Sequence, residues 1–215
     1  MKLYSYFRSS ASYRVRIALN LKGLPYETVP VHLLKDGGEQ LAPAYRQLSQ
    51  DGLVPVLVTN DGQSLTQSLA IIDYLEETCA TPALLPSDPL DRAWVRSLAL
   101  SIACDIHPLN NLRVLRYLSN EMAVPEEAKN RWYKHWVEQG LMSVEQVLAA
   151  DARTGRYCFG ELPGLADCCL VPQVANAERM GCDLSAMPTI LRINAACLAL
   201  EAFAAASPAR QADAE

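Results

Sequence analysis

The sequence predicts an α/β domain built on a small mixed sheet, followed by an all-helical domain. Three observations support this fold class. In residues 1–80, short strand-like segments alternate with segments of helical spacing. From residue 90 to residue 215, apolar residues recur mostly at intervals of three and four. Between these domains, residues 81–89 hold three prolines and no regular period, which is typical of a linker.

The first part of the N-terminal domain predicts a strand, a helix and a second strand. Residues 2–7 form a short segment that is rich in aromatic side chains, as is common in strands. Residues 9–23 have helical spacing, and Gly23 is suited to end that helix. Residues 25–33 are predicted to form the second strand. Pro30 indicates an edge strand, because proline cannot donate to a ladder.

The remainder of this domain predicts a short helix, a hairpin and a third helix. The short helix is expected over residues 40–48. Residues 54–59 and 63–66 flank Asn-Asp-Gly, a strong hairpin signal. Residues 68–78 return to helical spacing. The resulting order, β-α-β-α-β-β-α, favours a mixed four-stranded sheet with helices packed on it.

Helical periods continue through the C-terminal domain. Trp132 and Trp136 stand four residues apart, and we interpret them as core residues of one helix. Two further helices are predicted over residues 166–177 and 189–206.

Composition and charge exclude several classes of function. Lys and Arg number 19 against 24 Asp and Glu, giving a net charge of −5. A mildly acidic chain without a long basic run is a poor candidate for binding nucleic acid or an anionic membrane. No apolar stretch approaches the ~20 residues needed to cross a bilayer. The first ten residues lack the apolar core of a signal peptide.

The seven cysteines show neither a disulfide framework nor a metal-ligand spacing. We expect free thiols, no metal site and a cytoplasmic location.

Three short motifs carry candidate chemistry. Ser9 and Ser10 lie at the turn between the first strand and the first helix, where hydroxyls and unpaired N–H groups favour a bound thiolate or carboxylate. Pro55 opens a strand, and a cis bond before it would let Val54 pair with a peptide ligand. Gln67 and Ser68 open a helix and suit an amino-acid carboxylate. Each motif taken alone also has a purely structural explanation, which is helix capping for the first and third motifs and an ordinary edge-strand proline for the second.

Together these motifs resemble the zeta class of cytosolic glutathione transferases, whose members include maleylacetoacetate and maleylpyruvate isomerases. The matching stretches run nearly from end to end: SSASYRVRIAL, VPVL, QSLAIIDYLEE, DIHPLNNLRVL and ADCCLVPQVANAER. The resemblance implies a thioredoxin-like N-terminal domain and a helical glutathione-transferase C-terminal domain. It also implies glutathione as cofactor, a small dicarboxylate substrate and a homodimer.

The resemblance assigns roles to individual residues. Ser9 and Ser10 would lie by the glutathione sulfur, Val54 would hold the cysteinyl backbone, and Pro55 would be the cis proline. The γ-glutamyl end would bind Gln67 and Ser68. The other residues expected to line the glutathione site are Gln40, His107, Asn111 and Arg113.

Two positions depart from the zeta pattern. Ala11 stands where a cysteine is common, which argues against an obligatory protein thiol. Gly164 stands where a helix-capping threonine is common, so Asp167 keeps its place but the reciprocal capping box is incomplete.

Arginines suit the carboxylates of such a substrate, because the guanidinium fork binds both oxygens. Arg8, Arg113 and Arg179 are the candidates, with a solvated helix face or an ion pair as the alternative. Arg14 and Arg16 lie inside the first helix and are expected to make structural contacts. His107 is either an acid–base group or a hydrogen-bond partner of the cofactor.

The expected activity is isomerisation of maleylacetoacetate to fumarylacetoacetate in aromatic amino-acid catabolism. Maleylpyruvate isomerisation and glutathione transfer to α-haloacids are alternatives. A non-catalytic thioredoxin-like adaptor would tolerate loss of the two serines, so their presence counts against it. A disulfide oxidoreductase would need a cysteine near the first helix, and the chain has none before Cys79.

Overall fold

The protein is described by a computed structural model that covers residues 1–215. The chain forms two compact units, one of residues 1–84 with 198–215, the other of residues 85–197. The predicted helical domain included residues 198–215, whereas the structure groups them with the N-terminal unit. The physical reason is hydrogen bonding: Arg16 and Asn20 of the first helix donate to the carbonyls of Ala206 and Ala202.

The N-terminal unit contains the predicted mixed sheet of four strands. These are β1 (Lys2–Ser5), β2 (Glu27–Pro30), β3 (Val56–Val58) and β4 (Ser64–Thr66). Their order is β2-β1-β3-β4, with β1 and β2 parallel and the other two pairs antiparallel. β2 is an edge strand, as Pro30 predicted.

Nine α-helices complete the fold. They are α1 (Ser10–Leu21), α2 (Pro43–Arg46), α3 (Ser68–Thr78), α4 (Pro89–Leu100), α5 (Leu112–Asn120), α6 (Glu126–Ala150), α7 (Leu165–Arg179), α8 (Pro188–Leu198) and α9 (Glu201–Ala204). Two predictions need correction. The helix expected over residues 40–48 is only α2, preceded by 3₁₀ turns. The helix expected over 189–206 is interrupted by extended backbone at Leu200.

The core of the N-terminal unit lies between the sheet and helices α1 and α3. Leu3 of β1, Ile17 of α1 and Ile71 of α3 are fully buried. Arg14 and Arg16 are buried as well, and the Arg16 guanidinium donates to Phe7 O at 3.0 Å. Both arginines therefore make structural contacts, as the sequence predicted.

In the helical unit, α4 continues into a π-helical turn (Ser101–Ile106) and a 3₁₀ helix (His107–Asn110). Gly140 of α6 permits close packing here, since a Cβ at this position would collide with Ile106. The buried stripe of α6 runs through Tyr133, Val137 and Leu141. Trp132 and Trp136 beside it are only half-buried, so the prediction that they are core residues is wrong.

Helix α7 begins with the incomplete capping box that the sequence predicted. Asp167 accepts the N–H of Gly164 at 2.8 Å, while the glycine has no side chain with which to reciprocate. Asp167 also accepts the N–H of Cys158 at 2.9 Å, which fixes the preceding loop to the helix. None of the helices combines the length and apolar character required to cross a membrane.

Candidate functional site

One edge of the sheet collects the three motifs of the N-terminal unit. Tyr4 of β1 pairs with Val56 of β3, and Val56 pairs with Thr66 of β4. Because these pairs are antiparallel, β1 ends where β3 begins and where β4 ends. The turn after β1, the loop before β3 and the start of α3 therefore lie at the same edge.

Ser9 is the N-cap of α1. Its Oγ accepts the N–H of Ser12 at 3.2 Å, and its side chain is only partly buried. A serine hydroxyl that accepts one hydrogen bond still has its own hydrogen to donate. Ser10, in contrast, is the first residue of the helix and is buried. Ser9 therefore places a donor at the positive end of α1.

Arg8 precedes this cap and is exposed. Its guanidinium carbon lies 4.8 Å from the ring centroid of Phe7, which is buried. This stacking orients the side chain along the turn while its donors stay accessible.

The loop before β3 presents the backbone of Val54. The Val54–Pro55 peptide bond is cis, as predicted, and the sheet ladder begins only at Val56. The Tyr45 hydroxyl donates to Leu53 O at 2.7 Å, and Ser49 Oγ donates to the same oxygen at 3.1 Å. These two hydrogen bonds fix the loop at Leu53, while the Val54 backbone takes no part in the sheet ladder.

The start of α3 carries Gln67 and Ser68. Gln67 has φ of 67°, a left-handed conformation that costs a non-glycine residue about 1–3 kcal/mol and is concentrated at ligand sites. Ser68 is buried, and its Oγ accepts a hydrogen bond from Arg14 Nη1 at 3.3 Å. A guanidinium and the first N–H groups of a helix are close together here, an arrangement that attracts a carboxylate.

Gln40 is a fourth polar residue of this unit. Its side chain is buried, and its Oε1 has no hydrogen-bond partner. Gly38, with a φ of 118°, has a backbone conformation that favours glycine, and its Cα lies against the end of the Gln40 side chain. A buried amide oxygen without a partner indicates a place for an external donor.

The remaining predicted residues belong to the helical unit. His107 begins the 3₁₀ helix, and Asn111 is the N-cap of α5, accepting the N–H of Arg113 at 3.1 Å. Arg113 and Arg179 are exposed. The Arg179 guanidinium lies near the buried hydroxyl of Tyr133. Burial raises the pKa of Tyr133 to about 12, and the attraction of Arg179 opposes this shift.

Two residues of interest were missed by sequence reasoning. Arg14 was expected to be structural only, yet its contact with Ser68 brings its charge to the start of α3. Asn110 is buried, and neither polar atom of its amide has a hydrogen-bond partner. The Asn-Asn pair in the sequence was the available signal, but only the structure distinguishes the buried residue from the capping one.

The N-terminal unit supplies no thiol to this edge of the sheet, because its one cysteine, Cys79, lies at the far end of α3. All seven cysteines are free, and the first in the chain is Cys79, at the end of α3. Cys158 and Cys197 lie beside Asp167, and burial raises the pKa of both thiols, which makes them poor nucleophiles. No three His, Cys, Asp or Glu side chains are grouped so that they could hold a metal ion.

Comparison with known proteins agrees with this geometry. Residues 3–83 match the family described as Glutathione S-transferase, N-terminal domain. A probable maleylacetoacetate isomerase of Vibrio cholerae is 52% identical over 99% of this chain and 97% of its own length. The holo structure of a bacterial maleylpyruvate isomerase, a zeta-class glutathione S-transferase, is 49% identical over 100% of both chains, with a TM-score of 0.96. The maleylacetoacetate isomerase of Methylobacterium extorquens AM1, with bound malonate and glutathione, is 44% identical over 100% of both chains, with a TM-score of 0.96.

A four-stranded thioredoxin-like domain with a serine-capped first helix and a cis proline before β3, joined to a helical domain, is the architecture of glutathione transferases. Within them, the chain belongs to the zeta-class family of maleylacetoacetate and maleylpyruvate isomerases.

Proposed function

We propose that this protein is a glutathione-dependent cis–trans isomerase that converts maleylacetoacetate to fumarylacetoacetate. The observation that carries the proposal is the Ser9 hydroxyl at the start of α1, at an edge of the sheet to which the N-terminal unit contributes no thiol. Such a site can ionise a sulfur but does not supply one, so the sulfur comes from a cofactor. The 52% identity to a probable maleylacetoacetate isomerase supports the choice of substrate.

The residues present fit glutathione, which the related maleylacetoacetate isomerase of Methylobacterium extorquens AM1 binds. A tripeptide needs partners for its backbone, its carboxylates and its thiol. The Val54 backbone outside the ladder suits the cysteinyl residue, and Gln67 with Ser68 suits the γ-glutamyl carboxylate. The unpartnered Gln40 Oε1 is an acceptor for one of its N–H groups.

When bound, glutathione supplies a thiolate whose reversible addition to the alkene makes rotation about the former double bond possible. The protein keeps that sulfur ionised. Ser9 donates a hydrogen bond to it, and the positive end of α1 adds to the effect, which together lower the pKa of the thiol. Because Ser10 is buried, we assign the donor role to Ser9.

The carboxylates of the substrate require fixed cations. We propose Arg8, Arg113 and Arg179 for this role, since all three are exposed and can donate in pairs to a carboxylate. We propose His107 and Asn111 as hydrogen-bond partners of the cofactor, on the strength of the zeta resemblance.

Maleylpyruvate isomerisation is the second candidate, supported by the 49% identity to a maleylpyruvate isomerase. Glutathione transfer to α-haloacids would use the same thiolate in a displacement. A non-catalytic adaptor would tolerate loss of Ser9 and Ser10, and their presence therefore weighs against it.

We also propose that the protein acts as a homodimer in the cytoplasm, in aromatic amino-acid catabolism. The zeta resemblance supports the dimer and the pathway. Seven free cysteines agree with a reducing compartment.

A spectrophotometric isomerase assay with maleylacetoacetate and maleylpyruvate, each with and without glutathione, tests the proposal. We expect turnover of maleylacetoacetate only when glutathione is present. Faster turnover of maleylpyruvate would favour the second candidate. Glutathione binding without turnover of either substrate would contradict isomerase function and favour the haloacid or adaptor alternatives.

A further inference from the structure

The segment of residues 198–215, here called the strap, is bound along α1, and the hydrogen-bonded residues are 182 to 190 positions apart in sequence. Three α1 side chains on one face hold carbonyl groups of the strap. The Tyr13 hydroxyl donates to Phe203 O at 3.3 Å, Arg16 Nε to Ala206 O at 2.9 Å, and Asn20 Nδ2 to Ala202 O at 2.9 Å.

The strap also contacts the turn that carries Arg8 and Ser9. Asp213 Oδ2 accepts the backbone N–H of Phe7 at 3.1 Å. Phe7 immediately precedes Arg8, and its ring supports the Arg8 guanidinium. A change at Asp213 can therefore move the turn without touching any residue assigned to glutathione or substrate.

Arg16 also joins the strap to the same turn. Its guanidinium donates to Ala206 O in the strap, to Phe7 O at 3.0 Å and to Tyr6 O at 3.4 Å. Tyr6 O in turn accepts the N–H of Ser9 at 2.9 Å. The backbone before Ser9 is thus bound both by the Asp213 carboxylate of the strap and by the Arg16 guanidinium. That guanidinium is buried and also donates to the strap.

We infer that Asp213 is a positioning residue for the isomerase site. By binding Phe7 N–H, it fixes the turn so that Ser9 Oγ meets the glutathione sulfur and Arg8 meets a carboxylate. The inference rests on the proposed function of Ser9 and deepens it, because it assigns part of the site to a segment outside the sheet and α1. A hydroxyl displaced by a fraction of an ångström donates less well, so the thiolate loses stabilisation.

Asp213→Ala tests the inference, with Asp213→Asn as the conservative variant. The asparagine keeps an acceptor oxygen for Phe7 N–H, and the alanine does not. Glu201→Ala is the matched control, because Glu201 lies in the strap and pairs with Arg210 at 3.3 Å on the exposed surface. The readouts are kcat/KM, the unfolding midpoint in urea, and the pKa of the bound glutathione thiol, from the ultraviolet absorbance of the thiolate across a pH series.

We expect Asp213→Ala to lower kcat/KM about fivefold, the effect of one lost hydrogen bond. The pKa of the bound thiol should rise by about half a unit. Asp213→Asn should restore both to within about twofold of wild type, and Glu201→Ala should leave both unchanged.

A wild-type thiol pKa in Asp213→Ala would overturn the inference, and so would an equal loss in Glu201→Ala. If Asp213→Ala lowered only the unfolding midpoint, the role would be structural and the inference would also fail. A wild-type protein that bound glutathione without lowering its thiol pKa would instead contradict the proposed function.

Discussion

Arg14 of α1 donates a hydrogen bond from Nη1 to Ser68 Oγ at 3.3 Å, which links the first helix to the first residue of α3. Both side chains are buried. The contact connects α1 and α3 at the edge of the sheet that carries the three motifs, here called the ligand edge, where α1 begins beside Ser9 and α3 beside Gln67. The proposed thiol and γ-glutamyl ends of the cofactor are therefore held by helices that are fixed to each other.

Ser68→Ala should weaken glutathione binding about tenfold, because it removes both a proposed donor to the γ-glutamyl carboxylate and the acceptor for Arg14. Isothermal titration calorimetry measures the change. Ser143→Ala is a suitable control, since Ser143 is exposed on α6 and bonds only within its own helix. Unchanged affinity in Ser68→Ala would remove this residue from the site.

Ser9→Ala should reduce kcat about 100-fold, since it removes the donor that stabilises the thiolate. It should also lower the free energy of unfolding by about 1 kcal/mol, because the N-cap of α1 is lost. Ser10→Ala keeps the cap and should retain most of the activity. Steady-state kinetics with urea titrations separates the two effects. The reverse order of kcat losses would transfer the donor role to Ser10.

Local sequence patterns were enough to predict the elements that form the ligand edge. The capping serine, the hairpin signal and the proline before β3 each act on the few residues around them. Their effects on local structure can therefore be predicted before the fold is known. The strap gave no such signal, since its partners Tyr13, Arg16 and Asn20 are distant in sequence. The same holds for Arg14, whose position inside the first helix predicted structural contacts but not the one with Ser68.

The helical unit shows a second limit of pattern reasoning. A four-residue period on α6 fits Trp132 and Trp136 as well as Tyr133 and Val137, one position further along. The structure buries the second pair and leaves the tryptophans half-buried. Trp132 Nε1 donates to Leu109 O at 2.8 Å, so the polar end of this indole is used to hold the segment that follows His107.

Arg8→Met should raise KM for the substrate about tenfold and leave glutathione affinity unchanged. The methionine keeps apolar contact with Phe7 but loses the charge that binds a carboxylate. Steady-state kinetics at varied substrate, with calorimetry for glutathione, tests both parts. Arg131→Met is the control, because Arg131 pairs with Glu127 on the exposed surface of α6 at 2.6 Å. An equal KM in Arg8→Met and wild type would exclude Arg8 from substrate binding.

Lys22→Met should lower the free energy of unfolding by about 3–5 kcal/mol, because it leaves Glu76 with an unpaired charge in a buried site. Lys22 Nζ bonds Glu76 Oε2 at 2.8 Å and Pro82 O at 3.0 Å, and its side chain is fully buried. Lys129→Met breaks a pair of similar length, 2.6 Å to the largely exposed carboxylate of Glu126, and should cost about 0.5 kcal/mol or less. Urea titrations compare the two, and similar losses would show that burial does not decide the strength of these pairs.

Ionisation of Tyr133 should make the protein less stable above a pH of about 10. Burial raises its pKa to about 12 in the folded state, whereas an unfolded tyrosine ionises near a pH of about 10. The unfolded chain therefore loses this proton first as the pH rises. The stabilisation is complete below pH ~10 and is lost as the pH rises to about 12, a change of about 2–3 kcal/mol.

Urea titrations across this pH range on wild type and Tyr133→Phe measure the effect. Between the low and high ends of this pH range, the free energy of unfolding of Tyr133→Phe should fall less than that of wild type, because phenylalanine has no proton to release. Tyr117→Phe is the control, since Tyr117 is exposed and its replacement should leave the wild-type slope. Equal slopes in wild type and Tyr133→Phe would mean that the Tyr133 hydroxyl ionises as readily in the folded protein as in the unfolded chain.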